Sequence, residues 1–574
     1  MRRTKIVATL GPASTSPEVF RRLVEAGLDV ARINLSHGSA DQHRHLVRMV
    51  RSMEQEIGRP IGILLDTAGP EVRLRTQSQE GIALHPQGVL ALGLDQGADL
   101  TVSIPQVLEC LRAGDVLVIG DGNLVLEVEK PGDPAWVRVI QGGWLPDNKK
   151  VTCPGQVWPL PVLTETDLEA LRMGIEEGVD WIAASFIRTA DDVVEVKRQV
   201  EAWEAAVPVM AKIETRAAFE NLDAIVRLAD GLMVARGDLG VEYPPEDVPW
   251  LQKAIIDAAN HAGKPVITAT QMLESMVHES RPTRAEITDV AHAVLEGSDA
   301  VMLSEETAVG EFPAEAVRVM ARAAEVSEAH PWEERGRRRY VSGTVTDAVC
   351  HAALTAAEDL DARIIITATE SGHTAQSMAA HRPRVPILAV TPYESVARRL
   401  SLVWGLESRL MQAQHSLEGM MEEAVAIARK SGRASAGDRV IITAGAPVGE
   451  AGSTNVLRVV TIGEILLRGQ GMGPEGEVQG PVKVVRDPVQ DGSFPEGTVL
   501  VAKSTDASWV PLMERARAIV TEAGGLTSHA AIIGISLGIP TVVGVPEATR
   551  TLTDGQIVTV DAAGGLILSA NRNG

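Results

Sequence analysis

The chain has 574 residues, 45% apolar and 23% charged, the composition of a globular protein too long for a single core. Its 76 acidic residues outnumber 54 basic ones, and the net charge of −22 argues against a nucleic-acid partner, which needs clustered Lys and Arg. No basic leader with an apolar core follows Met1, and the most apolar late stretch, from Ala530 to Val545, carries Gly, Ser and Pro and is too short to span a bilayer, so a cytoplasmic protein without a membrane partner is expected.

Eight short apolar runs then mark the first 306 residues: KIVATL from Lys5, DVARINLS from Asp29, IGILLDT from Ile61, WIAASFIR from Trp181, PVMAKIE from Pro208, GLMVARGD from Gly231, PVITATQ from Pro265 and AVMLSEE from Ala300. Strands buried on both faces read as continuous apolar stretches, and eight of them separated by helical segments predict a (β/α)8 barrel. Each run breaks off at polar residues. Thr9, Arg32, Asn34, Asp66, Ser185, Lys212, Glu214, Asp238, Thr270, Ser304 and Glu306 fall at strand C-terminal ends, where such barrels do chemistry. An acidic protein with an anionic substrate must concentrate its cations at that mouth, and Arg32, Arg73, Lys212 and Lys150 are the candidates.

The third run ends near Thr67 and the fourth begins at Trp181, so an insertion interrupts the barrel. Its short alternating segments, DVLVIGDGNLVLEVE and WVRVIQGG, predict a small β domain that serves as a lid. After the last barrel helix, a charged link PWEERGRRRY leads to an α/β rhythm of helices and strands. Its first strand-to-helix turn, Thr369-Glu370-Ser371-Gly372-His373-Thr374, offers backbone amides to a phosphate, although Ser and Thr also serve as plain helix caps. The glycine-rich RGQGMGPEGEVQGP reads as a linker to a last unit. The expected organisation is a barrel over 1–69 and 162–331, a lid over 70–161, an effector domain over 332–470, a linker over 471–481 and a terminal unit over 482–574. Cys110, Cys153 and Cys350 lack metal or redox spacing and are expected to pack.

The terminal GGLTSHAAIIGISLGIPTVVG resembles the swivelling phosphohistidine domain of phosphoenolpyruvate synthases and pyruvate phosphate dikinases. In those enzymes the histidine of the TSHA segment, here His529, carries a phosphoryl group. No nucleotide-grasp partner is found in this chain, so a structural relic or subunit contact is the favoured role. The barrel motifs ARINLSHGS, LLDTAGPEVR, LTETD, ASFIR, AKIET, ARGDLGVE, TATQMLESM, RPTRAE and DAVMLSEETAVGEFP resemble pyruvate kinase, in order, over residues 1 to about 470.

The resemblance implies transfer of the phosphoryl group of phosphoenolpyruvate to ADP in a cytoplasmic homotetramer. It places a divalent ion, Mg²⁺ or Mn²⁺, on Glu214 and Asp238, and K⁺ on Asn34, Ser36, Asp66 and Thr67. Lys212 and Arg32 would hold the migrating phosphoryl group, with Arg73 as a further contact. The Gly237 and Asp238 amides with Thr270 would receive the substrate carboxylate, and Thr270, Ser304 and Glu306 would order a proton-relaying water. Pro12, Asn34, His37, Arg73 and Lys150 match nucleotide positions. Lys150 lies in a loop one residue shorter than usual, and Ala68 replaces a common lysine. The effector implied for the Thr369–Thr374 turn is a sugar phosphate or a nucleoside monophosphate. Two rival readings are a metal-dependent lyase acting on a pyruvate enolate, and a catalytically silent effector-binding or phosphorelay protein. Pyruvate formation with and without ADP separates them.

Overall fold

The computed structural model describes residues 2–95, 97–120, 122–330, 343–435, 438–447, 454–462, 464–474, 477–489 and 494–569; the charged link at 331–340 lies outside them. The chain divides into two compact units, one of residues 1–352, 367–420 and 444–456, the other of 353–366, 421–443 and 457–574.

In the first unit all eight apolar runs are strands: β1 (Lys5–Thr9), β2 (Val30–Asn34), β3 (Gly62–Asp66), β4 (Trp181–Ala184), β5 (Val209–Ile213), β6 (Gly231–Ala235), β7 (Val266–Ala269) and β8 (Ala300–Leu303). They close a barrel in sequential order, every neighbouring pair parallel. The alternation within each run sorts the side chains. Val7, Val30, Leu64, Met210, Met233, Ile267 and Met302 fill the interior, whereas Ile6, Ala31, Ile63, Ile182, Ala211, Leu232 and Val301 join the layer under the helices. Leu402, from the segment after the barrel, completes the interior cluster.

The N-terminal rim repeats a single device four times. An aspartate stands immediately before each even-numbered strand, and its carboxylate accepts the amide of a residue opening the preceding odd strand: Asp29 from Ile6 at 2.9 Å, Asp180 from Ile63 at 2.8 Å, Asp230 from Val209 at 2.8 Å and Asp299 from Val266 at 3.1 Å. Each also holds a cation, respectively Arg2, Arg51, Lys197 and Arg382. The amide and the cation offset part of the cost of placing a carboxylate there.

Between β3 and β4 lies a separate closed barrel of seven strands, from Arg73–Thr76 to Lys149–Thr152, around Leu74, Leu100, Leu126, Val137 and Val151. Its return strand Lys149–Thr152 pairs antiparallel with Arg73–Thr76, so Lys150 lies opposite Arg73. Beyond the large barrel, the strands Ile387–Thr391 and Leu406–Leu410 run parallel, and helix His373–Ala380 follows the Gly372 turn.

The second unit carries an eight-stranded sheet built from Glu464–Arg468 through Leu566–Ser569. Here the expected linker over 471–481 is corrected: Gln470–Met472 and Glu477–Val484 are strands of that sheet. The glycines serve close packing rather than flexibility. A Cβ on Gly471 would stand 1.7 Å from the Ala562 carbonyl oxygen, and one on Gly480 3.0 Å from that of Gly497. The cysteines are free, and burial pushes the thiols of Cys153 and Cys350 up to about 12, consistent with packing. Among the described residues no helix is long and apolar enough to cross a membrane.

Candidate active site at the barrel mouth

The C-terminal ends of β2 to β6 bring one charged network together. Asp66, at the end of β3, is fully buried and accepts from Arg32 Nε at 2.7 Å, while Lys212 Nζ lies 3.1 Å from its other oxygen. Arg32 also donates to Thr9 Oγ1 at 2.9 Å. Burial alone would raise the Asp66 carboxyl, but Lys212 and Arg32 hold it below its ordinary value.

Lys212 and Glu214 alternate along β5 and its exit, so both project to the same side. Lys212 donates to Ser185 Oγ at 2.6 Å and lies 3.4 Å from Glu214 Oε2. Burial opposes its charge, yet Asp66, Glu214 and Asp238 raise its proton affinity, so it is a permanent cation. Ser185 in turn ties β4 to β3, with its hydroxyl donating to the Thr67 carbonyl at 2.6 Å and its amide to Thr67 Oγ1 at 3.0 Å. Asn34 and Asp66 are register partners on β2 and β3, and Asn34 Oδ1 accepts from the Ser36 amide at 3.1 Å.

Glu214 accepts the Phe186 amide at 2.5 Å, and burial together with the Asp238 charge raises its proton affinity. Asp238, in the short helix Arg236–Glu242 after β6, receives Lys150 Nζ at 2.5 Å. The buried Glu214 and the half-buried Asp238, two carboxylates that repel each other, are thus balanced by Lys212 and Lys150. This donor set fits Mg²⁺, which takes one or two carboxylates and leaves its remaining positions to substrate oxygens and water.

The β7 exit is strained: Thr270 and Gln271, both non-glycine, take φ of 66° and 53°. Arg236 holds that turn, with Nη2 donating to the Thr270 carbonyl at 2.6 Å and the Gln271 carbonyl at 3.1 Å, while Nη1 is fixed by both oxygens of Asp289 at 2.7 Å. Thr270 Oγ1 accepts the Gly237 amide at 2.8 Å, so two of the three groups expected to meet a carboxylate are adjacent but occupied with each other. Glu306 is spent on backbone amides, those of Leu273 at 3.0 Å and Ser304 at 2.7 Å, whereas Ser304 Oγ is buried without a protein partner.

Several expected positions are more locally engaged. Arg73 pairs with Glu71 and donates to the Asn148 carbonyl at 2.9 Å. The His37 carbonyl accepts His43 Nε2, and the Pro12 carbonyl receives Thr15 Oγ1 at 3.5 Å. The LTETD motif anchors a loop of the site, since Asp167 caps its own helix through Thr164 and accepts the Ala68 amide at 2.9 Å, fixing the chain after Asp66. In the α/β segment, Thr369 Oγ1 accepts from Gly372 and Ser371 Oγ from His373, so these hydroxyls cap their own turn. In the second unit His529 opens the helix His529–Leu537 behind the N-cap Ser528, with Nδ1 3.1 Å from Thr505 Oγ1.

Arg236 and Phe186 were not singled out from the sequence. Arg236 directly precedes Gly237 and Asp238, but nothing local in the sequence marks it, because the groups it holds come from distant segments.

A (β/α)8 barrel with two ammoniums and three carboxylates converging at its C-terminal mouth defines an enzyme class that handles polyanionic substrates. Residues 1–317 match "Pyruvate kinase, barrel domain", 347–460 "Pyruvate kinase, alpha/beta domain" and 494–565 "PEP-utilising enzyme, mobile domain". The chain is 42% identical over 585 residues to a pyruvate kinase of Sporosarcina psychrophila, covering 100% of both chains. It is 43% identical over 578 residues to one from Geobacillus stearothermophilus, covering 99% of this chain and 98% of that one. A "Pyruvate kinase 2" from a Synechocystis strain is also 43% identical, over 99% and 97% of the two chains. The chain belongs to the pyruvate kinase family.

Proposed function

We propose that the chain transfers the phosphoryl group of phosphoenolpyruvate to ADP, giving pyruvate and ATP. The observation that carries this reading is the convergence of Lys212, Arg32, Asp66, Glu214 and Asp238 at one barrel mouth. Two polyanions have to approach each other, so fixed positive charge is the main requirement. Lys212, buried and locked by Ser185 and Asp66, is preorganised to stabilise charge on the phosphoryl group as it migrates. Arg32, held by Asp66 and Thr9, presents its guanidinium to the same group.

A divalent ion on Glu214 and Asp238 would supply charge neutralisation and align phosphate oxygens. The K⁺ site falls to Asn34, Ser36, Asp66 and Thr67, hard oxygen donors at the ends of β2 and β3. The Gly237 and Asp238 amides with the Thr270 hydroxyl would receive the substrate carboxylate, which requires Thr270 to exchange partners. The enolate left by transfer is protonated at carbon, and Ser304, with a buried hydroxyl awaiting a partner, would hold the relaying water beside Thr270 and Glu306. Arg73, Lys150, Pro12, Asn34 and His37 would contact the nucleotide. The organisation we assign is a cytoplasmic homotetramer with the 70–161 lid and an effector site for a sugar phosphate or nucleoside monophosphate at Thr369–Thr374. His529 has a structural role in this reading.

The test is pyruvate formation from phosphoenolpyruvate with and without ADP. ADP-dependent pyruvate with stoichiometric ATP supports it. Pyruvate formed equally without ADP would indicate a lyase, and no turnover a silent relative.

A further inference from the structure

Glu214 and Asp238 are the carboxylates assigned to the divalent ion, and the competition inferred at Asp238 rests on that assignment. Asp238 already carries a cation supplied by the lid. Lys150 Nζ lies 2.5 Å from Asp238 Oδ1, although the two residues are 88 positions apart in the chain. Strand register aims this lysine. Lys150 pairs opposite Arg73, its carbonyl accepts the Gly120 amide at 2.9 Å, and the next residue, Val151, donates to Val72 at 2.9 Å.

The ammonium is also supported from below. It stands 4.7 Å from the centre of the Phe186 ring, and the Phe186 amide is the donor to Glu214. Phe186 itself has φ of 53°, and the neighbouring Gly69 leaves room for its ring, since a Cβ there would come within 2.6 Å of Phe186 Cδ2. One aromatic residue therefore seats both the lid's cation and the barrel's second carboxylate. A cavity of about 80 Å³ borders Lys150, Val151, Phe186, Trp158 and Glu242, which gives the strand and its lysine space to shift.

A divalent ion on Asp238 would sit within a few ångströms of this ammonium. Like charges at that range repel each other. The two cations are competitors for the carboxylate. We propose that Lys150 is the resident counter-ion of Asp238, displaced by the divalent ion on loading, so that metal binding unlatches the lid strand and frees the ammonium for nucleotide phosphates.

The experiment measures Mn²⁺ binding to the full-length, nucleotide-free protein by electron paramagnetic resonance, together with amide hydrogen exchange over Lys149–Thr152. Lys150→Met should bind Mn²⁺ at least about fivefold more tightly than the unaltered protein, because the competing ion pair is gone. Lys150→Arg, which keeps the charge, should stay near the unaltered value. In the unaltered protein Mn²⁺ should speed exchange over the Lys149–Thr152 strand, and in Lys150→Met that exchange should be fast before Mn²⁺ is added. Equal or weaker Mn²⁺ binding by Lys150→Met, or exchange in the unaltered protein that ignores Mn²⁺, overturns the displacement. Asp238→Asn separates this from the parent reading: unchanged Mn²⁺ affinity there would remove the metal assignment itself, and the competition with it.

Discussion

Lys212 touches Ser185, Asp66 and Glu214, and each contact removes a degree of freedom from the ammonium. Such a group acts mainly on charge that develops during transfer. Lys212→Met should therefore lower kcat by about 10²-fold or more while KM for phosphoenolpyruvate moves little, as read from steady-state kinetics. A defect confined to KM would make Lys212 a substrate-binding residue instead. A second residue sets the cation requirement. Glu71 is a carboxylate beside the proposed K⁺ site, and it pairs with Arg73. On the proposed K⁺ assignment, kcat/KM should depend on K⁺ when the ion is replaced by a large inert cation at constant ionic strength. Glu71→Lys should weaken that dependence. Full activity of the unaltered protein without K⁺ would remove the assignment of Asn34, Ser36, Asp66 and Thr67.

The residues whose placement was legible from sequence were those fixed by strand position alone. Lys212, Glu214 and Asp238 stand at strand exits, and alternation along β5 is enough to put the first two on one side. Arg236 was not legible because its partners, the Thr270 carbonyl and Asp289, are 34 and 53 positions away. Glu306 was expected beside a proton-relaying water, and the sequence did not show that its two oxygens also accept the Leu273 and Ser304 amides. A motif names a carboxylate but not which of its lone pairs are already taken.

Among the elements, the eight barrel strands were readable because burial on both faces leaves an unbroken apolar signature. The segment over 471–481 misled because glycine has two uses, freedom in a linker and close approach in a sheet, and composition does not separate them. The strand-opening aspartates make a prediction at this scale. Burial pushes Asp180 up to about 6 against the opposing pull of Arg51. The folded state then binds this proton more tightly than the unfolded chain, whose carboxyl has its ordinary value near 3.8. Its contribution to stability is complete below about pH 4 and is lost as pH rises to about 6. The melting temperature of the unaltered protein minus that of Asp180→Asn should fall across that window and level off above it. A difference that rises with pH would mean that Arg51 prevails over burial.

For the whole molecule, a net charge of −22 is compatible with anionic substrates because Arg32, Lys212 and Lys150 stand together at the barrel mouth. The second unit is a separate matter. His529 bonds to Thr505 beside a helix start, a geometry that a structural histidine and a carrier both tolerate. With a structural role, His529→Ala should keep near-unaltered turnover, and no acid-labile phosphate should appear on the protein after incubation with phosphoenolpyruvate. Stoichiometric phosphate at His529, lost in the variant, would make the unit a carrier.

The four strand-opening aspartates also bear on how the barrel assembles. Three of their amide bonds join residues 23, 21 and 33 positions apart, but the bond from Ile63 to Asp180 closes a loop of 117. For a flexible chain that closure costs about 1.5 kcal/mol more than the shortest one, since the entropy grows with the logarithm of loop length. The penalty shrinks if the inserted β domain folds first, because its two chain crossings then emerge side by side on paired strands. A domain assigned as the lid of the finished enzyme would, during synthesis, act as the clip that brings β3 and β4 within reach of each other.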